Sequence, residues 1–172
     1  MDRKTVLVTG GAGYIGSHTV LELLEQDYEV IVIDNLCNSN FESLRRVQKL
    51  TGKNVSFYQG DITNRSLLRE IFKKHPDITS VIHFAALKAV GESTQIPLTY
   101  YHNNVYGTLV LLEELEKASI FNFVFSSSAT VYGDPASVPI TEDFPTSATN
   151  PYGQSKLMME HILKDVAVAN SN

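Results

Sequence analysis

A tyrosine and a lysine four positions apart, Tyr152 and Lys156, have the clearest chemical potential in this sequence. Residues at this spacing share one face of a helix, and Pro151 favours a helix start just before them. A free tyrosine loses its proton only near pH ~10, and a neighbouring ammonium group stabilises the phenolate. The pair is therefore a candidate proton acceptor for an alcohol that is being oxidised. An exposed amphipathic pair without chemistry is the alternative.

Three consecutive serines, Ser126, Ser127 and Ser128, lie at the carboxyl end of the apolar run at residues 123–126. Open α/β sheets bind their ligands at the carboxyl ends of the strands. A serine hydroxyl at that edge could form a hydrogen bond with the reacting oxygen beside the tyrosine. The sequence alone does not indicate which of the three does so.

A phosphate-binding turn is predicted at Gly10, Gly13 and Gly16, between an apolar run and an amphipathic segment. Gly10 permits the tight turn, Gly13 lets the backbone approach a pyrophosphate, and Gly16 lets the helix lie close to the sheet. The helix N-terminus then offers N–H groups to the anion. A glycine-rich turn without a ligand is the alternative.

Asp34 ends the next apolar run, where a carboxylate can accept hydrogen bonds from both adenosine ribose hydroxyls. It would repel a 2′-phosphate, so NAD is favoured over NADP. Otherwise Asp34 merely caps the residues that follow it. Asp61 is placed to meet the adenine edge, or it belongs to a helix start at which Asn64 is the candidate cap.

The histidines and the cysteine are not expected to have a catalytic role. His83 ends a predicted strand and is interpreted as a packed strand histidine, and the other histidines lack metal-ligand spacing. Cys37 has no histidine partner close in sequence, which argues against a nucleophile. We expect no metal site.

Short apolar runs alternate with segments of helical period. Strands are predicted at residues 5–9, 30–34, 55–59, 81–84 and 123–126, each buried on both faces. Helices are predicted at residues 14–26, 41–50, 66–74, 98–118 and 151–170, and residues 133–150 form a loop. In the long helix, one face carries Val105, Thr108, Leu109, Leu112 and Leu115. The alternation predicts an α/β fold, a Rossmann-type doubly wound parallel sheet with strand order 3-2-1-4-5.

Composition excludes several classes of protein. A net charge of −5 argues against a nucleic-acid surface, and a single cysteine excludes an internal disulfide framework. The N-terminus lacks the features of a signal peptide, and no apolar stretch approaches the ~20 residues of a membrane span. We expect a soluble cytoplasmic protein.

Five stretches together resemble the UDP-galactose 4-epimerases, a family of extended short-chain dehydrogenases/reductases. They are residues 9–18, 34–36, 83–93, 126–133 and 150–153, and the resemblance spans nearly the whole chain. Related 4,6-dehydratases typically carry Thr-Asp-Glu where this chain has Ser128-Ala129-Thr130. The acid and carboxylate for water elimination are therefore missing.

The resemblance implies roles for individual residues. Ser128, Tyr152 and Lys156 are the catalytic residues, with Ser128 the catalytic hydroxyl, Tyr152 the base and Lys156 binding the nicotinamide ribose. NAD contacts are implied for Gly10, Gly13, Tyr14, Ile15, Gly16, Asp34, Asn35, Leu36, Cys37, Asn38, Ser39, Asp61, Ile62, Phe84, Ala85, Ala86, Leu87, Lys88 and Asn103. Substrate contacts are implied for Lys88, Ala89, Val90, Ser128 and Tyr152.

The implied reaction interconverts UDP-glucose and UDP-galactose. The sugar 4-hydroxyl is oxidised to a transient 4-keto sugar, which rotates and is reduced on its other face, with NAD tightly bound throughout. Family members form homodimers and are roughly twice as long. Residues 1–172 are therefore expected to be a partial NAD-binding domain that stops before a sixth strand, with little activity alone. Another NAD-dependent nucleotide-sugar epimerase and a non-catalytic NAD-binding module remain alternatives.

Overall fold

The structure is a computed structural model that describes residues 4–170, so the predicted domain over residues 1–172 extends past the described part at both ends. The described residues form two compact units. The first contains the residues up to Ala85 together with Leu109–Ser126. The second contains Ala86–Thr108 and the residues from Ser127 onward.

A five-stranded parallel sheet forms the centre of the first unit. The strands are β1 (Thr5–Thr9), β2 (Glu29–Asp34), β3 (Ser56–Gln59), β4 (Ile78–His83) and β5 (Asn122–Phe125). Their order is β3-β2-β1-β4-β5, which confirms the predicted Rossmann-type topology. β4 begins three residues before the predicted run. The prediction missed these residues because the polar Thr79 and Ser80 interrupt the apolar character of the strand.

The helices are α1 (Tyr14–Glu25), α2 (Glu42–Thr51), α3 (Arg65–Lys74), α4 (Val90–Gln95), α5 (Pro97–Tyr101), α6 (Gly107–Lys117) and α7 (Pro151–Ala169). The short helix α4 was not predicted. Asn64 caps α3 by accepting a hydrogen bond from the backbone N–H of Leu67, as its sequence position suggested. Residues 133–150 contain neither an α-helix nor a β-strand, as the predicted loop requires.

Apolar side chains cover both faces of the sheet. On one face, Leu7 and Ile33 pack with Leu68, Ile71 and Leu111 from α3 and α6. On the other, Val8 and Val32 belong to a cluster with side chains of α1 and α2. β1 is buried along its whole length, because it has a neighbour on each side and helices on each face.

The prediction that every strand is buried on both faces was wrong for the two edge strands. In β3 and β5 no residue is fully buried. Each edge strand pairs with one neighbour only, so its far side lacks the cover that the inner strands have.

The long helix predicted over residues 98–118 is interrupted. A π-helical turn, His102–Tyr106, separates α5 from α6. Of the residues on the predicted apolar face, Thr108 and Leu115 are buried, whereas Val105, Leu109 and Leu112 are only half-buried. Val110 and Leu111, which are not on the predicted face, are also fully buried, because α6 packs them into the core cluster that contains Leu115.

One charged residue of α6 lies in the interior of the first unit. Glu114 is 1% exposed and accepts hydrogen bonds from Arg69 Nε (2.7 Å), Lys117 Nζ (2.8 Å) and Arg65 Nη1 (3.1 Å). The hydrogen bond from Arg69, assisted by those from Lys117 and Arg65, holds the pKa of the Glu114 carboxyl far below its usual range. Pairing with three cations allows this carboxylate to remain ionised while buried.

Candidate functional site

The glycine turn between β1 and α1 is tightly built. Gly10 has φ +68°, and a Cβ there would lie 2.6 Å from the backbone N of Ala85. A side chain at Gly16 would clash with the carbonyl oxygen of Gly10, so a glycine at this position lets α1 lie close to the turn that follows β1. Gly13 has more room, since its nearest neighbour would lie 3.3 Å away.

The first turn of α1 suits an anion. Gly13 occupies the N-cap position, no side chain caps the helix, and the first turn contains no acidic residue. Tyr14 and Ile15 are 75% and 57% exposed at this end. Backbone N–H groups and the partial positive charge of the helix end are the features that bind a pyrophosphate.

Asp34 ties the end of β2 to this turn. Its Oδ2 accepts a hydrogen bond from the Ala12 N–H (3.0 Å), and its Oδ1 accepts from the Leu36 N–H (2.9 Å) and the Ser39 hydroxyl (2.7 Å). The carboxylate therefore has the local capping role that the sequence left open. The ribose contact stays a prediction.

The two predicted adenosine segments meet in the structure. The Asn35 side chain donates to Asp61 Oδ2 (2.8 Å) and accepts from the Cys37 N–H (3.0 Å). Asp61 also accepts from the backbone and the hydroxyl of Thr63. The loops after β2 and β3 are thus held together, with Cys37 and Asn38 exposed and Ile62 buried.

A cavity of about 540 Å³ opens beside the glycine turn. It is lined by residues 12–14, by residues 38–40 and by Glu42, Ser43 and Arg46 of α2. These three α2 residues were not predicted from the sequence. Their only local signal is the four-residue spacing of Glu42 and Arg46, which is common on exposed helices.

His83 packs inside the sheet of the first unit. It is 1% exposed, its Nδ1 lies 2.6 Å from the Thr9 hydroxyl, and its ring stacks on Phe125 at 6.0 Å. This environment agrees with a packed strand histidine. The next two residues, Phe84 and Ala85, are half-buried in the same unit.

In the second unit, Tyr152 and Lys156 lie on the first turns of α7. Asn150 caps this helix by accepting a hydrogen bond from the Gly153 N–H (2.8 Å). Tyr152 is half-buried, whereas Lys156 is only 4% exposed, and burial lowers the pKa of Lys156 to about 8. A lysine of that pKa is still mostly cationic at neutral pH and retains the charge that favours a phenolate.

The serines differ in their partners. The Ser128 hydroxyl caps a 3₁₀ turn, Ala129–Tyr132, and accepts hydrogen bonds from the N–H (3.2 Å) and the hydroxyl (2.9 Å) of Thr130. The Ser127 hydroxyl donates to Glu160 of α7. A Cβ at Gly153 would lie 2.9 Å from the Thr130 carbonyl oxygen, so a glycine lets this turn approach the start of α7.

Asn104 and Tyr100, two buried polar residues that were not predicted from the sequence, hold the segment that follows Ala86. Asn104, in the π-helical turn, accepts from the Leu87 N–H (2.8 Å) and donates to the Leu87 carbonyl (2.9 Å) and the Ser155 hydroxyl (3.0 Å). The predicted contact Asn103 is half-buried and donates to the Asn104 side chain (2.9 Å).

Tyr100 fixes the same segment two residues further on. Its hydroxyl accepts from the Ala89 N–H (3.0 Å) and shares its proton between the Ala89 carbonyl (2.9 Å) and Glu92 (2.7 Å). Burial and the Glu92 hydrogen bond raise the pKa of Tyr100 to about 12. Lys88 and Val90 are exposed on either side of the fixed Ala89.

Two further features bear on the class of site. Among residues 4–170, no group of three or more His, Cys, Asp and Glu side chains is arranged to hold a metal ion. Within the same range, no helix combines the length and the apolar character that crossing a membrane requires.

The chain is similar to UDP-glucose 4-epimerases of several organisms. It is 64% identical to that of Haemophilus influenzae over 165 residues, covering 95% of this chain and 48% of the relative. It is 58% identical to that of Bacillus subtilis over 166 residues, covering 96% and 49%. The chain thus spans about half the length of the curated relatives it matches.

Solved structures agree in fold. The UDP-glucose 4-epimerase of Bifidobacterium longum, in complex with NAD+ and UDP, has a TM-score of 0.94 and 54% identity over 96% of this chain and 50% of that one. The enzyme of Stenotrophomonas maltophila, with bound NAD and formylated UDP-arabinopyranose, has a TM-score of 0.93 and 45% identity, covering 97% and 49%. The sequence model described as GDP-mannose 4,6 dehydratase matches residues 7–170, and the chain therefore belongs to that family.

Proposed function

We propose that this chain is the NAD-binding part of a UDP-glucose 4-epimerase. The observation that carries the proposal is the combination, in one chain, of an uncapped glycine turn beside Asp34 with a buried Lys156 one turn after Tyr152. The first arrangement suits a dinucleotide, and the second suits proton transfer to and from an alcohol. Sequence identities of 64% and 58% to two curated UDP-glucose 4-epimerases support the same conclusion.

The proposed cofactor contacts follow from the residues of each segment. The pyrophosphate would lie at the start of α1, near Tyr14 and Ile15, and the adenosine near Asp34 and Asp61. Lys156 would bind the nicotinamide ribose, while Lys88 and Asn103 supply further contacts. The hydrogen bonds of Asn104 and Tyr100 support this assignment, because they fix the backbone on both sides of Lys88.

The reaction needs a base that can also return its proton. Bound NAD would supply the hydride acceptor and donor at the sugar C4. Tyr152 takes the proton of the 4-hydroxyl and returns it to the same oxygen, Ser128 forms a hydrogen bond with that oxygen, and Lys156 favours the phenolate form of Tyr152. Lys88, Ala89 and Val90 are the proposed contacts on the substrate side.

Epimerisation is favoured over dehydration by the residues after β5. Dehydratases of the family typically place an aspartate and a glutamate where this chain has Ala129 and Thr130. The Thr130 hydroxyl donates to Ser128 and is no acid at neutral pH. Water elimination would therefore lack both the acid and the carboxylate that it requires.

The substrate, assembly and location are parts of the same proposal. UDP-glucose and UDP-galactose are the proposed substrates of the complete enzyme, and a homodimer in the cytoplasm is its proposed state, without membrane or nucleic-acid partners. The share of the relatives that this chain covers leads us to expect little epimerisation by the 172-residue chain alone.

Calorimetric titration of the 172-residue chain with NAD and NADP, followed by an assay of UDP-galactose conversion, tests the proposal. We expect NAD to bind more tightly than NADP, because Asp34 opposes a 2′-phosphate. Failure of the chain to bind NAD would refute the proposal. Tight NAD binding by a complete enzyme that converts no UDP-sugar would identify a non-catalytic binding module instead.

A further inference from the structure

An ion pair forms part of the wall of the cavity beside the glycine turn. Glu42 and Arg46 lie one turn apart on α2, with 3.3 Å between Glu42 Oε1 and Arg46 Nε. Both side chains line the cavity, and they are 52% and 75% exposed. Arg46 is the only cation among the cavity's lining residues in the described chain, and Glu42 is the only acid.

The adenosine ribose of the proposed cofactor would lie in this cavity, so the inference rests on the proposed function. One wall is the glycine turn at residues 12–14, which faces the pyrophosphate in that proposal. The lining also includes Ser39, whose hydroxyl donates to Asp34 Oδ1. This hydrogen bond joins the proposed ribose partner Asp34 to the lining of the cavity.

A guanidinium near the ribose is the group that accommodates the 2′-phosphate of NADP. Arg46 could serve in this way, but in the structure it is paired with Glu42. The pair offsets the positive charge of the guanidinium with a carboxylate that also lines the cavity.

We infer that Glu42 is a cofactor-specificity residue, which keeps Arg46 from binding the 2′-phosphate of NADP. Discrimination between the two cofactors is then divided between Asp34, at the end of β2, and Glu42, on α2. The pair is exposed and screened by water, so each charge has a moderate effect.

The variants Glu42→Gln, Arg46→Gln and the double variant separate these contributions. Calorimetry measures the affinity for NAD, and displacement of bound NAD measures the affinity for NADP. Glu42→Gln should strengthen NADP binding by about tenfold, which corresponds to one exposed charge pair near the phosphate. NAD affinity should stay within about twofold, since NAD carries no charge at this position. The double variant should return NADP affinity to about the wild-type value.

Glu70→Gln is the matched control, because Glu70 is an exposed acid on α3 outside the cavity lining and its loss changes the net charge equally. An unchanged NADP-to-NAD ratio in Glu42→Gln, with NAD still bound, would overturn the inference and leave the proposed function intact. A gain that persists in the double variant, or that Glu70→Gln reproduces, would also overturn it, because overall charge would then be the cause. Absence of NAD binding in the wild type would refute both proposals.

Discussion

Lys156 combines a cost for folding with a proposed role in the chemistry. Its pKa is lowered from 10.5 to about 8 by burial, so the folded protein releases its proton at a lower pH than the unfolded chain does. Between pH 8 and 10.5 the unfolded state binds the proton more tightly, so stability rises with pH in that window. Below pH 8 the full cost of burying the ammonium remains, about 3 kcal/mol by this shift.

We therefore expect Lys156→Met to raise the free energy of unfolding at pH 7 by up to about 3 kcal/mol and to flatten its rise between pH 8 and 10. Urea denaturation at several pH values measures both effects. Lys164→Met is the control, because Lys164 lies exposed on the same helix and its replacement should change stability little. A Lys156→Met protein that is less stable at pH 7 would contradict the prediction.

The proposed base can be tested with a similarly small change. Tyr152→Phe keeps the ring and removes the proton acceptor. In a complete epimerase that contains this sequence, turnover should fall by about 10²–10⁴-fold, while the bound NAD content stays unchanged. Tyr28→Phe, which alters a tyrosine packed against the core of the first unit, should leave turnover near the wild-type value. Wild-type turnover in Tyr152→Phe would exclude this residue as the base.

At the scale of elements, the π-helical turn His102–Tyr106 places Asn104 where its amide holds both Leu87 and Ser155. Asn104→Ala would remove the hydrogen bonds to the Leu87 N–H, the Leu87 carbonyl and the Ser155 hydroxyl, so we expect it to lower the free energy of unfolding by about 2–4 kcal/mol. Asn103→Ala removes one hydrogen bond to Asn104 and should cost less than about 1 kcal/mol. Urea denaturation measures the free energy of unfolding of both variants. Equal losses would show that the Asn104 contacts contribute no more to stability than the single Asn103 hydrogen bond does.

Hydrophobic pattern was sufficient to predict the sheet. β1 was predicted at residues 5–9 and observed at Thr5–Thr9, because consecutive apolar residues mark a strand covered on both faces. The pattern could not distinguish inner from edge strands, since that property depends on neighbours remote in sequence. It also missed the polar start of β4 at Thr79 and Ser80.

The residues that hold the candidate site in place were harder to predict than the residues proposed to act in it. Asn104 and Tyr100 look like ordinary helix residues until the fold brings Leu87 and Ala89 to their side chains. Glu114 likewise has the appearance of a surface acid, and only the approach of α3 to α6 explains its burial. Spacing along a helix reveals local pairs, whereas these contacts join segments more than ten residues apart.

At the scale of the molecule, the two edges of the sheet differ in chemistry. The exposed residues of β3 are the polar Ser56 and Gln59. The exposed residues of β5 include Val124, which is 57% exposed, and Phe121 just before the strand is 61% exposed. Unpaired strand edges with apolar side chains are templates for association with another chain. The β5 edge is therefore the part of the sheet from which we expect self-association.

Val124→Lys tests this expectation, because a lysine on an edge strand opposes pairing with a second copy. Sedimentation velocity at several protein concentrations should show that the 172-residue chain self-associates and that Val124→Lys shifts it toward the monomer. Val138→Lys is the control: Val138 is 80% exposed in the loop after β5, so a general gain in surface charge would act equally there. A wild-type chain that stays monomeric, or two variants that behave alike, would show that the β5 edge does not drive association. A shift confined to Val124→Lys would instead identify β5 as part of the surface through which two chains meet.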